Sequence, residues 1–252
     1  MVCYDPGEVN DKMRVLVVLP TYNEALNIEW IIKSLIELPL GADVLVVDDN
    51  SPDGTADLAE RVGPAGRVRV ERRPGKLGLG SAQRAGMAAG IKGGYERIVI
   101  MDADGSHDPG TVPALVAATA NADLSIGSRY VAGGRVENWA WYRRFLSWGA
   151  NTMARLVLGR DVHDWTSSFR CCRVEMLKNI PLDRFRSEGF AAVEEILFQV
   201  RFRGYRVVEV PITFVERRAG RSKIDRSEVM SAVWRLLVMG LIRAAGKRPR
   251  HD

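Results

Sequence analysis

The feature that most constrains the fold of this chain is a series of short apolar runs separated by segments with helical periodicity. Unbroken runs occupy residues 14–20, 43–49 and 97–103, and residues 67–73 alternate like a further strand. Parallel strands that are buried on both faces have such continuous apolar runs, and the helices between them cover the sheet. The pattern therefore predicts an α/β fold with a Rossmann-like, mostly parallel sheet flanked by helices.

After residue 110 the regular alternation ends. Residues 122–130 indicate a short fifth strand, residues 137–159 mix aromatic residues with arginine, and residues 205–223 indicate a strand with a basic end. No linker rich in proline and serine and no internal repeat interrupts the chain. We expect a single domain over residues 1–252, with a first half at about 14–125, a second half at 126–226, and an apolar helix with a basic tail at 227–252.

Composition narrows the functional classes. The net charge of +5 favours an anionic partner such as a phosphate ligand, a lipid headgroup or nucleic acid. No recognised nucleic-acid-binding motif is present, so we expect no nucleic-acid partner. Three cysteines, two of them adjacent, do not form a disulfide framework and favour a reducing cytoplasm. We expect neither a signal peptide nor a membrane span, because residues 229–242 fall short of the roughly 20 apolar residues that a span requires.

Acidic residues follow the predicted strands where the strands end. Ligands of open α/β sheets bind at this carboxyl edge. Asp102 and Asp104 stand two residues apart, so that both can offer oxygens to a hard cation such as Mg²⁺ or Mn²⁺. A solvated loop of capping aspartates is the alternative, since this short motif often occurs by chance. The other acidic strand ends favour a cation, because grouped negative charges are costly without one.

Other residues leave more than one interpretation open. Asp48 and Asp49 can accept hydrogen bonds from a nucleobase or ribose, or can begin a turn into the following Ser-Pro-Asp-Gly. The glycine-rich residues 75–86 match neither a Walker loop nor a dinucleotide fingerprint. His107 and His163 lack partners at zinc-ligand spacing. Seven basic residues suit either phosphate oxygens or a solvated surface: Arg129, Arg143, Arg144, Arg217, Arg218, Arg221 and Lys223.

Seven segments, in this order, resemble the polyprenol-phosphate mannosyltransferases, which are family 2 glycosyltransferases of the GT-A fold. They are VVLPTYNEALNIE, VVDDNSPDGTAD, GKLGLGSA, MDADGSHDP, GSRYVAGGRVENWAWYRR, SWGAN and EVPITFVERRAGRSK. The resemblance extends from residue 14 to about residue 226. It implies inverting transfer of mannose from GDP-mannose to a polyprenol monophosphate with the help of Mg²⁺ or Mn²⁺. A transferase that uses UDP-glucose or another nucleotide sugar, and a catalytically silent homologue, are the alternatives.

The resemblance also implies roles for individual residues, with a nucleotide-sugar-binding first half and an acceptor-side second half. The nucleoside is assigned to Pro20, Tyr22, Glu24, Asp48 and Asp49. The metal and diphosphate are assigned to Asp102, Asp104 and Ser106. Catalytic contacts with the donor or acceptor phosphates are assigned to Arg129, Arg143, Arg217 and Lys223, beside Asp104. Glu195 stands where the family often has an acidic residue. Ser168 replaces a usual glycine and Gln83 a common aromatic residue.

The lipid acceptor implies an enzyme that is peripheral on the cytoplasmic face of the membrane, with a membrane protein as a possible downstream partner. Two segments have a suitable composition, residues 139–148 and the helix from about Ser227 to Arg243. Each can instead pack on the domain core. The acceptor phosphate, with a second pKa of about 6, is already anionic at neutral pH, so the resemblance requires no strong general base.

Overall fold

The computed structural model describes residues 13–184, 191–216 and 226–244. The β-strands are β1 (Val15–Thr21), β2 (Asp43–Asp48), β3 (Val68–Arg72), β4 (Arg97–Ile100), β5 (Leu124–Ser128), β6 (Arg135–Glu137), β7 (Arg170–Arg173), β8 (Val207–Pro211) and β9 (Thr213–Val215). The α-helices are α1 (Ile28–Ile36), α2 (Thr55–Val62), α3 (Leu79–Lys92), α4 (Val112–Ala118), α5 (Trp141–Leu158), α6 (Val174–Lys178), α7 (Ala191–Phe202) and α8 (Arg226–Ala244).

Seven strands form one sheet in the order β3-β2-β1-β4-β7-β5-β8, and β6 pairs with β9 in a second, two-stranded sheet. Neighbours in the large sheet are parallel except at β7, which runs antiparallel to both β4 and β5. The prediction of a mostly parallel sheet with flanking helices is confirmed. Since β4 and β5 both run antiparallel to β7, they run parallel to each other. The carboxyl end of β5 therefore lies at the same edge of the sheet as those of β1, β2 and β4.

The segment between β1 and α1 is a loop that contains one residue with a left-handed backbone. Asn23 has a left-handed backbone with φ of 56°, and α1 starts only at Ile28. Asparagine tolerates this conformation better than most residues. The polar residues between β1 and α1 therefore form a loop at the carboxyl edge of the sheet.

The sheet is covered on both faces. Leu16 and Val18 of β1 belong to one core cluster with residues of α3, α5, α7 and α8, whereas Val17 and Leu19 belong to a second cluster with α1, α2 and α4. Gly86 allows α3 to lie close to β1, because a Cβ atom there would meet Val18 Cγ1 at 2.2 Å. The strands β1, β2, β4 and β5 are therefore buried along nearly their whole length, which leaves their ends for contact with a ligand.

Helices α5 and α8, both from the second half of the chain, pack against each other. A Cβ atom at Gly240 would meet Val157 Cγ1 at 2.4 Å, and Leu236 and Met239 are buried against the domain. The outer faces of the same two helices carry exposed apolar side chains: Trp141, Phe145, Leu146, Trp148, Leu156, Trp234, Leu237, Leu241 and Ile242. The alternative prediction that these side chains pack in the core of the domain is therefore wrong.

No helix in the described ranges has both the length and the hydropathy needed to cross a bilayer.

Candidate active site

The carboxyl edge of the large sheet brings together the acidic residues that follow β1, β2 and β4. β1 and β2 are in register at Thr21 and Asp48, and the Thr21 hydroxyl donates to Asp48 Oδ1 at 2.8 Å. Asp48 is buried and also accepts hydrogen bonds from the backbone N–H and the hydroxyl of Ser51, at 2.8 and 2.6 Å. The interpretation of Asp48 as the start of a turn is therefore confirmed, and its predicted contact with the nucleoside stays a prediction.

Asp49 links the sheet edge to the glycine-rich segment. Its Oδ1 lies 2.6 Å from Arg73 Nη1, and its Oδ2 accepts the backbone N–H of Gly78 at 2.8 Å. The second Arg73 nitrogen donates to Ser81. Both side chains of the ion pair are nearly buried. Arg73, which the sequence did not single out, thus holds the beginning of α3 against the carboxylate of Asp49.

The remaining residues predicted for the nucleoside lie in and after β1. Pro20 is buried within the strand, and Lys76 Nζ lies 5.0 Å from the ring centroid of Tyr22, close enough for a cation–π interaction. Glu24 is buried; its Oε2 accepts from Asn27 Nδ2 at 3.0 Å, and its backbone N–H donates to Thr55 Oγ1 at 2.9 Å. Glu24 therefore stabilises the turn into α1.

Asp102, Asp104 and Ser106 lie in the loop that follows β4. Asp104 Oδ1 accepts hydrogen bonds from the backbone N–H and the hydroxyl of Ser106, at 3.0 and 2.6 Å. Asp102 Oδ2 accepts from the Ser168 hydroxyl at 2.8 Å. The loop is also tied to β9, because Val215 donates its N–H to the carbonyl of Ser106 at 3.2 Å. These bonds fix the acidic loop beside the ends of the central strands.

His107 is a neutral part of this loop. The backbone N–H of Asp102 donates to its Nδ1 at 3.2 Å, so Nδ1 carries no proton in this arrangement. Burial lowers the pKa of His107 below its ordinary value, although nearby Asp102 and Asp104 oppose that shift. The ring stacks on Phe169 at 4.7 Å between centroids and meets Phe214 edge-on at 5.3 Å. His107 therefore supports the loop through packing and a hydrogen bond.

The donor set of this loop fits a hard divalent cation that also binds a diphosphate. Among residues 13–184, 191–216 and 226–244, no three His, Cys, Asp or Glu side chains form a complete metal cluster. Asp102 and Asp104 provide two carboxylates, and Mg²⁺ is commonly bound through one or two carboxylates together with substrate phosphates. These two residues could therefore hold the ion once a nucleotide supplies further oxygens.

Arg129 follows β5 and is already paired. Its Nε and Nη2 donate to Asp164 at 2.8 and 2.7 Å, its Nη2 also donates to Thr166 Oγ1 at 2.6 Å, and its backbone N–H donates to Asp164 at 3.0 Å. Burial opposes the charge on Arg129, but Asp164 outweighs that effect and raises the pKa of the guanidinium. Burial likewise raises the pKa of Asp164, and Arg129 more than reverses this shift. This ion pair orders the site next to the acidic loop.

Three of the predicted phosphate-binding residues are described only in part or not at all. Arg143 lies in α5, and its side chain is outside the described part of the molecule; Arg217 and Lys223 lie outside the described residues altogether. Their assignments stay predictions. Glu195 in α7 is half-buried, whereas its neighbour Glu194 is buried. Burial raises the pKa of Glu194 to about 7, although Arg170 opposes that shift.

The two departures from the family pattern differ in how well the fold accommodates them. Ser168 needs no left-handed backbone, because the described residues other than glycine with positive φ are Asn23, Asn50 and Asn138. Gln83 is buried on α3, and its Nε2 has no hydrogen-bond partner among the described residues. Serine at position 168 is therefore free of the strain that a left-handed backbone would impose on any residue other than glycine.

Sequence comparisons connect the chain to enzymes that act on lipid phosphates. It is 43% identical over 240 residues to the polyprenol monophosphomannose synthase of Mycolicibacterium smegmatis, a match that covers 94% of this chain and 91% of that protein. It is also 43% identical over 240 residues to the undecaprenyl-phosphate mannosyltransferase of Micrococcus luteus, covering 94% and 99% of the two chains. Both relatives are therefore similar to this chain over nearly its whole length.

Solved structures share the fold. The glucosyl-3-phosphoglycerate synthase from Mycobacterium tuberculosis, in complex with Mn²⁺, UDP and glucosyl-3-phosphoglycerate, superimposes with a TM-score of 0.67 at 23% identity, covering 90% of this chain and 80% of that one. The family model described as glycosyl transferase family 2 matches residues 16–181, which include β1 to β4, the acidic loop and Arg129. The chain belongs to glycosyl transferase family 2.

Proposed function

We propose that this protein transfers mannose from GDP-mannose to a polyprenol monophosphate, with inversion at the anomeric carbon and with Mg²⁺ or Mn²⁺. The observation that carries the proposal is the Asp102–Asp104 loop at the carboxyl edge of a family 2 sheet, in a chain 43% identical to two enzymes whose names refer to mannose and a polyprenol phosphate. The choice of GDP-mannose rests on the motif resemblance.

The chain's own residues have distinct parts in this reaction. Asp102 and Asp104 would hold the divalent ion, which supplies positive charge against the leaving diphosphate when it is bound. Asp48 and Asp49 lie at the edge assigned to the nucleoside, and Arg143, Arg217 and Lys223 are proposed to contact phosphate oxygens. Arg129 is paired with Asp164, so we assign it to ordering the site as much as to phosphate contact.

The reaction requires little acid–base catalysis. A phosphate monoester with a second pKa of about 6 is already a nucleophile at neutral pH. The neutral, buried His107 is therefore not needed to accept a proton from the acceptor. Alignment of the acceptor phosphate behind the anomeric carbon and stabilisation of the leaving group are what the site must provide.

We further propose that the exposed apolar faces of α5 and α8 contact the cytoplasmic surface of the membrane. Trp141 is 80% exposed, and Trp234 is 68% exposed. The two helices pack against each other at Gly240 and Val157, and each leaves large apolar side chains exposed. A polyprenyl chain is too apolar to leave the bilayer, so the enzyme must meet its acceptor there. The product also stays in the membrane, where a membrane protein would consume it.

The function is tested with polyprenyl phosphate, Mg²⁺ or Mn²⁺, and either radiolabelled GDP-mannose or radiolabelled UDP-glucose as the donor in parallel assays. We expect mannose transfer by the wild type and its loss in Asp104→Ala. Asp108→Asn is the matched control, because exposed Asp108 lies four residues away and only caps a short 3-10 turn. Transfer from UDP-glucose alone would favour the other donor, and no transfer from any donor would favour the silent homologue.

The membrane contact has its own test. We expect the wild type to sediment with vesicles that contain anionic lipid and the double variant Trp141→Ser, Trp234→Ser to sediment less. Transfer to a long-chain acceptor should fall more than transfer to a short, soluble one. Equal sedimentation of both proteins would contradict the assignment of this surface to the membrane.

A further inference from the structure

Ser168 lies beside Asp102, just beyond the ends of two paired strands of the sheet. The antiparallel register of β4 and β7 pairs Ile100 with Arg170, and the same register continued two residues past the ends of both strands would place Asp102 opposite Ser168. The Ser168 side chain is buried, and its hydroxyl donates to Asp102 Oδ2 at 2.8 Å. Ser168, which precedes the antiparallel strand β7, thus makes a polar contact with the acidic loop.

The residue after Ser168 supports the same aspartate through a second route. Phe169 stacks on His107, and His107 accepts the backbone N–H of Asp102 at 3.2 Å. The two residues that precede β7 therefore restrain Asp102, one through its side chain and the other, by way of His107, through its backbone. Two independent contacts from adjacent residues point to a fixed orientation of this carboxylate.

We propose that Ser168, which stands where the family usually has glycine, is a positioning residue particular to this chain, and that its hydroxyl favours the orientation of the Asp102 carboxylate that binds the divalent ion. The inference rests on the proposed function, since it needs the ion at Asp102 and Asp104. Carboxylates that bind metals are themselves commonly hydrogen-bonded, and loss of such a partner typically lowers metal affinity or activity about 10- to 100-fold. Without the hydroxyl, the Asp102 carboxylate can rotate away from its place.

Ser167 offers a matched control. Its hydroxyl is also buried, but it donates to the carbonyl of Gly127 at 2.6 Å and not to Asp102. Ser167→Ala and Ser168→Ala each remove one buried hydroxyl from neighbouring positions. A general effect of lost hydrogen bonding on stability would appear in both variants, whereas an effect on the metal site is expected only in Ser168→Ala.

The experiment measures Mn²⁺ binding by electron paramagnetic resonance in the presence of GDP, together with thermal unfolding. We expect Ser168→Ala and Ser168→Gly to bind Mn²⁺ about tenfold more weakly than the wild type, Ser168→Thr to recover most of the affinity, and Ser167→Ala to bind like the wild type. Use of two variants without the hydroxyl guards against one that fails to fold.

Two outcomes would overturn the inference, and they are distinguishable. If the wild type binds Mn²⁺ with GDP and the folded Ser168 variants bind it equally well, Ser168 has no positioning role and the proposed function stands. If the wild type itself binds no Mn²⁺ in the presence of GDP, both the metal step of the proposed function and the role of Ser168 are wrong.

Discussion

Replacement of Asp164 by alanine is expected to lower the free energy of unfolding by about 3 to 5 kcal/mol, because it leaves Arg129 buried without its counter-ion. The side chains of the pair are 6% and 0% exposed. Arg129 gives Asp164 three hydrogen bonds, from its backbone N–H, Nε and Nη2, at 3.0, 2.8 and 2.7 Å. All three are lost in the variant.

The magnitude follows from which charge stays behind. Removal of one partner of a buried pair costs the solvation of the other charge, whereas removal of both with apolar replacements is often close to neutral. The double variant Arg129→Leu, Asp164→Ala is therefore expected to be more stable than Asp164→Ala alone. The exposed pairs of Arg72 with Asp57 and Glu60 are the control, and Arg72→Ala should cost less than about 1 kcal/mol.

Urea unfolding followed by circular dichroism measures these differences. With a slope of about 3 kcal/mol per molar urea, the midpoint of Asp164→Ala should fall by roughly 1 to 1.7 M relative to the wild type. A loss below about 1 kcal/mol, or a double variant that is less stable than either single variant, would refute the reasoning that the pair is buried and mutually compensating.

Three further predictions concern buried groups. Gln83→Met should raise the unfolding free energy by about 1 kcal/mol, because it removes a buried donor that lacks a partner among the described residues; a lower melting temperature would contradict this. Burial raises the pKa of Glu194 from 4.5 to about 7, so the folded state binds the proton of this carboxyl more tightly than the unfolded state does. The wild type should therefore lose stability relative to Glu194→Gln as the pH rises from 4.5 to 7. Urea midpoints of both proteins at pH 5 and pH 8 test this. If the midpoints of the two proteins differ by the same amount at both pH values, the pKa of Glu194 is not raised in the folded state. Burial raises the pKa of Cys172 to about 12 and that of Cys171 further. A thiol reagent at pH 8 should therefore leave both cysteines unmodified, as mapped by mass spectrometry, until urea unfolds the protein. Rapid labelling of the native protein would show that the two thiols are accessible.

The sequence alone determined the features that depend on neighbouring residues. Continuous apolar runs and helical periodicity predicted the parallel strands and the helices between them, because these patterns repeat within a few residues. The acidic loop after β4 was equally visible, since Asp102 and Asp104 directly follow an apolar run. The family resemblance came from motifs of the same local kind.

Only the tertiary structure decided the features that depend on distant pairing. Ser168 meets Asp102 across 66 residues and Arg129 meets Asp164 across 35, and no local pattern encodes either contact. β7 enters antiparallel between β4 and β5, which is what aligns Ser168 with the acidic loop. The apolar stripe of α8 was compatible with the core or with the surface, because periodicity defines a face of a helix but not what covers it. Packing of Leu236 and Met239 inward left Trp234 and Leu241 exposed.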